Sequence, residues 1–352
     1  MKRIVVIGSA NMDTTNYLNS NTFPDRLTSE SCNDIYETTR VLGGKGANQA
    51  VSAALQSQGT DVGVSFIGCV GKDESGLKIV QSLKEKGIDY SAVKVLNTET
   101  DGRVIFVNKN GENQMFGYGN CIKQLSPEVV FNKRTEPILR DADVVVIQMK
   151  MPDDTIEEVI DYCDEHMLTL MIDPTPVEKS GLLAKKGLID KATYLTPNEE
   201  EAYALAKYEE GMSLEDIKAD LKNASREEIL AVIEGLVRRH PNVIATLGDK
   251  GIMYYNPDKG LVYRNPYPTE CIDSTGAGDT FNGTFAAAIS RGEDLETAID
   301  YALMNCANKV KEKGAQNGMQ TYAETQRDLE AYNKKHNPNG KDTSDDDGTP
   351  EL

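Results

Sequence analysis

The chain has 352 residues, 39% of them apolar and 27% charged, with a formal net charge of -18. Such a length and apolar share are enough for one large α/β domain with a substantial core, while the acidic balance argues against a nucleic-acid partner, which needs a basic surface. Six scattered cysteines without a CxxC pair, and three distant histidines (His166, His240 and His336), argue against a zinc site and point to reduced thiols in a cytoplasmic protein. No apolar run is long enough to span a membrane, and Met1-Lys2-Arg3 leads straight into a four-residue apolar run, too short for a signal core.

Ile4 to Ile7 is a β-branched run ending at Gly8, which predicts a buried strand. Residues 14 to 40 are polar and irregular, with Pro24, and fit excursions or edge strands. From Val41 the run VLGGKGANQAVSAALQSQG predicts a glycine-rich loop feeding a helix, with Ala47, Ala50, Val51, Ala54 and Leu55 as its apolar stripe. A strand over 62–70 and a helix over 76–86 ending at Gly87 follow. Residues 103–108 and 113–118 flank Asn110-Gly111, a strong hairpin signal. Further strands are expected at 144–148, 168–172, 194–196, 243–247 and 252–255, and helices at 155–165 and over the charge-rich stretch 213–239. The alternation predicts an α/β fold: a doubly wound, mainly parallel sheet with helices on both faces. Ligands bind such sheets beyond the carboxyl ends of the strands. From about His336 the chain turns polar and acidic without apolar periodicity, so residues 336–352 are expected to form a disordered tail.

Two stretches carry chemistry. In Ile272-Asp273-Ser274-Thr275-Gly276-Ala277-Gly278-Asp279, small residues open a helix, where converging N–H groups and the helix dipole make an anion hole. Asp279, just inside it, is placed to take the proton of an attacking hydroxyl; a dipole-stabilising acid in the first turn is the plainer reading. In Gly43-Gly44-Lys45-Gly46-Ala47-Asn48, glycines allow close backbone approach and Lys45 and Asn48 offer donors to sugar hydroxyls, although a simple turn before a helix has the same look. The spacing does not match a Walker A loop.

Taken together and in order, these residues resemble the ribokinase (PfkB) family of carbohydrate kinases. Asn11-Met12-Asp13 is similar to its sugar-binding Asn-x-Asp, and Gly43 to Asn48 to its first signature. Asn198-Glu199-Glu200-Glu201 resembles its Asn-x-x-Glu motif, Thr246 to Gly251 its nucleotide loop, Asp273 to Asp279 its second signature, and Lys313-Gly314-Ala315-Gln316 its monovalent-cation region. The resemblance covers about residues 3–330 and implies a kinase domain over 1–335 that uses ATP, Mg²⁺ and K⁺ on a sugar, ribose by default. It makes Asp279 the base and Gly276, Ala277 and Gly278 the anion hole. Asn198 and Glu201 would act on magnesium through water, although a helix N-cap with first-turn acids accounts for the same pair. Thr246 and Gly248 would line the nucleotide site, and Asp273, Thr275 and Gly314 would hold K⁺. Asn11, Asp13, Gly43, Lys45 and Asn48 would hold the sugar, and residues 14–40 and 99–121 a β lid that also joins two subunits into a homodimer.

Two positions depart from the family pattern. Lys150 stands where ribokinases usually carry a glutamate, and Arg103 where the lid usually has a small residue. Cations there point to a phosphorylated or acidic sugar, unless both side chains turn to solvent or pair with lid acids such as Asp101. A catalytically silent sugar-binding regulator is a third reading, and the intact Gly276 to Asp279 stretch argues against it. The charged segment from about Glu209 to Arg226 is longer than in typical relatives and carries no assigned role.

Overall fold

A computed structural model describes residues 2–23 and 35–336. The chain opens with β1 (Lys2–Ile7), β2 (Asn11–Leu18), β3 (Ile35–Gly43), α1 (Lys45–Gln56), β4 (Val62–Gly71), α2 (Glu74–Glu85) and β5 (Val93–Leu96). The hairpin β6 (Gly102–Val107) and β7 (Asn113–Tyr118) follows, then short α3 (Pro127–Val130) and α4 (Glu136–Arg140). Next come β8 (Val144–Gln148), α5 (Asp153–Glu165), β9 (Thr169–Asp173), α6 (Val177–Lys186), β10 (Tyr194–Leu195) and helices α7 (Glu199–Glu209), α8 (Leu214–Asn223) and α9 (Arg226–Arg239). The last strands are β11 (Ile244–Thr246), β12 (Ile252–Asn256) and β13 (Gly260–Arg264), and the last helices α10 (Ala277–Arg291), α11 (Leu295–Lys309) and α12 (Tyr322–His336).

Six parallel strands form the central sheet in the order β10-β9-β8-β1-β4-β5. The β-branched runs make it, because alternate residues of one strand feed two cores. Val5, Ile7, Val145 and Ile147 join one core, with α5, α7 and α9 residues, while Ile4, Val6, Val144 and Val146 join the other, with α1, α2, α10 and α11 residues. This is the doubly wound arrangement that the alternation of elements predicts. Beyond β10, Leu195 N–H donates to the Asn242 carbonyl (2.9 Å) and Thr246 N–H to that of Pro197 (2.8 Å), so β11 continues the sheet in parallel before β12 and β13 turn antiparallel.

A second sheet, ordered β3-β2-β6-β7, stands apart. Of residues 14–40, read as excursions or edge strands, the described parts 14–18 and 35–40 lie in strands, and residues 24–34 lie outside the described residues. Strands β2 and β3 pair antiparallel, and β2 pairs parallel with β6; backbone pairing rather than apolar alternation makes them strands. One expected helix is two: Ser225 caps α9, its hydroxyl accepting from Glu228 N–H, and so breaks the 213–239 stretch. Strand β13 and helices α6, α11 and α12 were not anticipated. His336 closes α12 rather than opening a tail; Pro24 and residues 337–352 lie outside the described residues. Among the described residues, no helix is long and apolar enough to cross a membrane.

Candidate active site

The residues singled out from sequence leave the carboxyl ends of neighbouring strands. Asn11 and Asp13 follow β1, Lys150 follows β8, Asn198 and Glu201 follow β10, and Thr246 and Gly248 close β11. Open parallel sheets bind ligands at this end, because helix N-termini gather there.

At the centre is Asp279, 5% exposed, in the first turn of α10. Asn48 Nδ2 donates to its Oδ2 (2.8 Å), Gln49 Nε2 to its Oδ1 (3.2 Å), and Lys45 Nζ lies 3.8 Å from Oδ1. Two features bring α1 and α10 close enough for this. Ser52 Oγ donates to the Thr280 carbonyl (3.0 Å), and Gly283 packs so tightly that a Cβ would lie 2.4 Å from the Gln49 carbonyl oxygen. Gly276 caps α10 at φ 81°, where a Cβ would also sit 2.3 Å from the Ala315 carbonyl oxygen; only glycine tolerates both constraints. The first turn leaves the N–H groups of Gly278 and Asp279 without intrahelical acceptors. The N–H of Ala277 is committed to the Ser274 carbonyl (3.1 Å), so of the three expected donors this one is already used by the chain.

Lys45 is more constrained than a free sugar donor. Its ammonium pairs with Asp173 Oδ2 at 3.0 Å, beside Asp279. Burial opposes its charge, yet Asp173, Asp279 and Glu201 together hold it above the usual lysine range. Burial also works on Asp173, but Lys45 and the hydrogen bonds from Thr175 keep its carboxyl below the usual range. Asp279 ends up on the other side: burial, with Asp173 adding like charge, raises its carboxyl above the ordinary value. Two carboxylates share one lysine, and the one closer to the lysine is the more acidic.

Asp173, the last residue of β9, Gln49 and Gln148 were not picked out as site residues, and Gln316 was grouped with the cation region rather than with Asn48. Gln49 joins Asp173 (2.8 Å) to Asp279, Gln148 Nε2 donates to Gln49 Oε1 (2.6 Å), and Gln316 Nε2 to Asn48 Oδ1 (3.0 Å). An acid ending a strand before Pro174 was a usable signal; nothing in the sequence marks the glutamines.

Asn198 and Glu201 form a reciprocal capping box: Glu201 N–H donates to Asn198 Oδ1 (2.9 Å) and Asn198 N–H to Glu201 Oε2 (3.0 Å). The plainer capping reading therefore holds, and both side chains also line a cavity of about 740 Å³ with Lys45, Asp173, Thr246 and Gly278. A second cavity of about 600 Å³ shares Thr246, Gly248, Ala277 and Gly278, and its far wall is apolar, built from Ile252, Phe281, Leu303 and Val310. A polar chamber joined to an apolar slot suits a phosphate tail and a flat base.

On the other side of Asp279, β2 pairs Asp13 with Arg103 of β6, and Asn11 with Gly43. Asn11 is buried, and Asp13 Oδ1 is buried without a hydrogen-bond partner. Burial raises the Asp13 carboxyl, against the pull of Arg103 and Lys150. Arg103 faces Asp13 at 4.0 Å. The suggested alternative partner, Asp101, is taken, since it accepts from the N–H groups of Cys121 (2.7 Å) and Ile122 (2.8 Å). Lys150 is half-buried; burial, with Arg103 and Lys45 adding like charge, pulls its ammonium down to about 8. Arg103 is thus drawn to Asp13, and Lys150 shares the electrostatics of Arg103 and Lys45.

Asp273, Thr275 and Gly314 also meet. Thr275 N–H donates to Asp273 Oδ1 (2.9 Å) and Gly314 N–H to Oδ2 (2.8 Å), which keeps the carboxyl below its ordinary value despite burial. Lys309, which the sequence reading did not single out, donates its ammonium to the Asp273 carbonyl (2.9 Å).

A buried acid beside free helix-start donors, opening onto a nucleotide-sized double cavity, is the equipment of a kinase that activates a hydroxyl. Its particular family follows from comparison: residues 1–322 match the pfkB family carbohydrate kinases, and the chain belongs to that family. It is 32% identical over 333 residues to a ribokinase of Bacillus subtilis (strain 168), covering 93% of this chain and 99% of that protein. Among solved structures it resembles a ribokinase of Thermotoga maritima (TM-score 0.73, 26% identity, 94% of this chain and 100% of that one). An Arabidopsis thaliana ribokinase complexed with ribose and ATP gives TM-score 0.75 and 25% identity over 93% of this chain and 98% of that one.

Proposed function

We propose that this carbohydrate kinase moves the γ-phosphoryl group of ATP onto a hydroxymethyl oxygen of ribose, with Asp279 as the base. The observation that carries the reading is the buried Asp279 carboxylate between the sugar-side residues and the polar chamber. As the sugar oxygen attacks phosphorus, Asp279 accepts its proton and the bond to the ADP oxygen breaks. The N–H groups of Gly278 and Asp279, at the positive end of α10, stabilise charge on the transferring group. Asn11 and the unpartnered oxygen of Asp13 hold sugar hydroxyls, because a buried acceptor without a partner is costly until a ligand supplies a donor. The base lies in the apolar slot past Thr246 and Gly248.

Magnesium fits beside Asn198 and Glu201. Both Glu201 oxygens already accept hydrogen bonds, from Thr175 Oγ1 (2.5 Å) and Asn198 N–H, so the ion would be held through water. It would supply charge neutralisation for the nucleotide phosphates. Potassium at Asp273, Thr275 and Gly314 would have to share its oxygens with the chain, because every Asp273 oxygen already accepts one hydrogen bond from it.

We further read residues 1–335 as one kinase domain in the cytoplasm, with the β3-β2-β6-β7 sheet as lid over the sugar. Ile35, Tyr36, Met115, Phe116 and Tyr118 are exposed on that sheet, which favours a second copy of the chain as its partner. Neither nucleic acid nor membrane is a partner in this reading.

Lys150 and Arg103 support a second substrate, a phosphorylated or acidic sugar, whose anion would meet two cations beside Asp13. A coupled ADP-release assay over neutral and anionic sugars separates the readings. Turnover on ribose supports the first, turnover only on anionic sugars the second, and ATP and sugar binding without turnover would leave a silent regulator.

A further inference from the structure

Asp273 begins the loop whose glycines open α10, and its oxygens are surrounded by donors. Backbone N–H groups of Thr275 and Gly314 fill the carboxylate, at 2.9 and 2.8 Å, and the ammonium of Lys309 fills the carbonyl at 2.9 Å. A hard cation needs such oxygens turned towards it. Here two N–H dipoles point at the carboxylate, and the one cationic partner belongs to the chain.

Lys309 has no solvent exposure. A buried ammonium is costly unless it is hydrogen-bonded and faced by negative groups. Both conditions are met. It ends α11, where the last carbonyls make the helix terminus negative; burial pulls its ammonium below the usual lysine value, against the pull of Asp273 and Asp279. The next residue grips the same loop: the Val310 carbonyl accepts from Ile272 N–H (2.8 Å) and Asp273 N–H (3.0 Å). The end of α11 thus clamps the loop ahead of α10, with the Lys309 ammonium donating to the Asp273 carbonyl at the clamp.

We propose that Lys309 is a tethered monovalent cation, which holds the Asp273–Gly278 loop in its phosphoryl-receiving shape and makes the enzyme independent of added potassium. Lys309 is a positioning residue, acting through the Asp273 carbonyl, and the inference rests on the kinase reading of Gly276 to Asp279.

The test compares the full chain and Lys309→Met in choline, sodium and potassium chloride at equal ionic strength, with ribose and magnesium–ATP. Wild-type rates should agree within about twofold across the three salts, while Lys309→Met should lose about tenfold or more in kcat in choline with little change in KM, and regain it in potassium. Melting temperature gives an independent arm: potassium should raise it for Lys309→Met and leave wild type unmoved. Strong potassium activation of wild type, or a variant whose rate and melting temperature ignore the cation, overturns the proposal. If Lys309→Met fails to fold, the wild-type salt series still decides. Absence of sugar-dependent ADP release in every salt counts against the kinase reading alone, since the melting arm needs no turnover.

Discussion

Replacing Asp279 by asparagine separates what the site does from what it costs. The change is nearly isosteric, and the side-chain oxygen can still accept from Asn48, which donates at 2.8 Å. What is lost is the proton acceptor. General-base catalysis contributes about 10²- to 10⁴-fold, or about 3 to 5.5 kcal/mol of transition-state stabilisation. The stability consequence has the opposite sign. Burial raises the folded-state value of the Asp279 carboxyl above its ordinary one. A group raised in this way favours the fold at pH below its unfolded value, and that contribution is lost as pH rises through the folded value. At neutral pH the ionised Asp279 therefore burdens the fold, and Asp279→Asn removes the burden. The expected pair of results is turnover down by two or more orders of magnitude, by coupled ADP release, with a melting temperature at pH 7.5 equal to or above wild type. Turnover within tenfold of wild type would refute the base assignment, and a clearly lower melting temperature would refute the charge argument.

Gly276→Ala meets both a positive φ and the Ala315 carbonyl oxygen; it should cost about 1–3 kcal/mol in urea unfolding and lower kcat more than it raises the KM for ATP. Lys150→Met should raise the melting temperature at pH 7 more than at pH 10, because the ammonium is pulled down to about 8 and protonating it below that value opposes the fold. Lys150→Glu should improve kcat/KM for ribose relative to an anionic sugar by about tenfold or more if the ammonium faces the substrate; an unchanged ratio removes the second substrate reading. Phe116→Glu, on the exposed face of β7, should leave turnover of the folded chain measurable and shift its sedimentation to that of a monomer; a wild-type chain that is already monomeric removes the dimer proposal.

The sheet was legible because its strands are β-branched runs whose neighbours in sequence are helices, and local pattern is enough to place such elements. The catalytic loop was legible because glycine has few substitutes at φ 81° beneath a carbonyl. Strands β2 and β3 were legible only as edge strands of a lid, and their bounds and pairing were not, since both come from contacts with each other and with β6, which no local window shows. The roles of the glutamines were missed for a similar reason: Gln49, Gln148 and Gln316 matter only through partners distant in sequence. Lys309 lay in a helix that was not predicted, four residues before the stretch assigned to potassium. Its importance comes from complete burial, which a charged residue in a charge-rich segment does not advertise.

The acidic composition and the anionic substrate are reconciled by where the cations stand. A net charge of -18 spread over the chain repels a nucleotide at long range, but salt screens that field beyond about 8–10 Å. Inside the strand-end cleft acids still outnumber bases, since Lys45 and Arg226 line the polar chamber with Asp173, Glu199, Glu200, Glu201 and Asp249, so what favours a phosphate there is local. Lys45 is held charged by Asp173 and Asp279, Lys309 is locked against Asp273, and Lys150 and Arg103 stand beside Asp13. Each is at least partly desolvated, so its field acts through a lower effective dielectric than any surface acid does. The free N–H groups at the start of α10 add to the same potential. A chain of this composition can therefore repel phosphates over most of its surface and still bind them at one place. The buried acids offset part of this field, since hydrogen bonds and neighbouring cations hold Asp173 and Asp273 in their charged forms. In the mechanism proposed here the phosphates therefore rely on the free N–H groups of α10 and on the cation they bring with them, and Asp279 is kept for the hydroxyl.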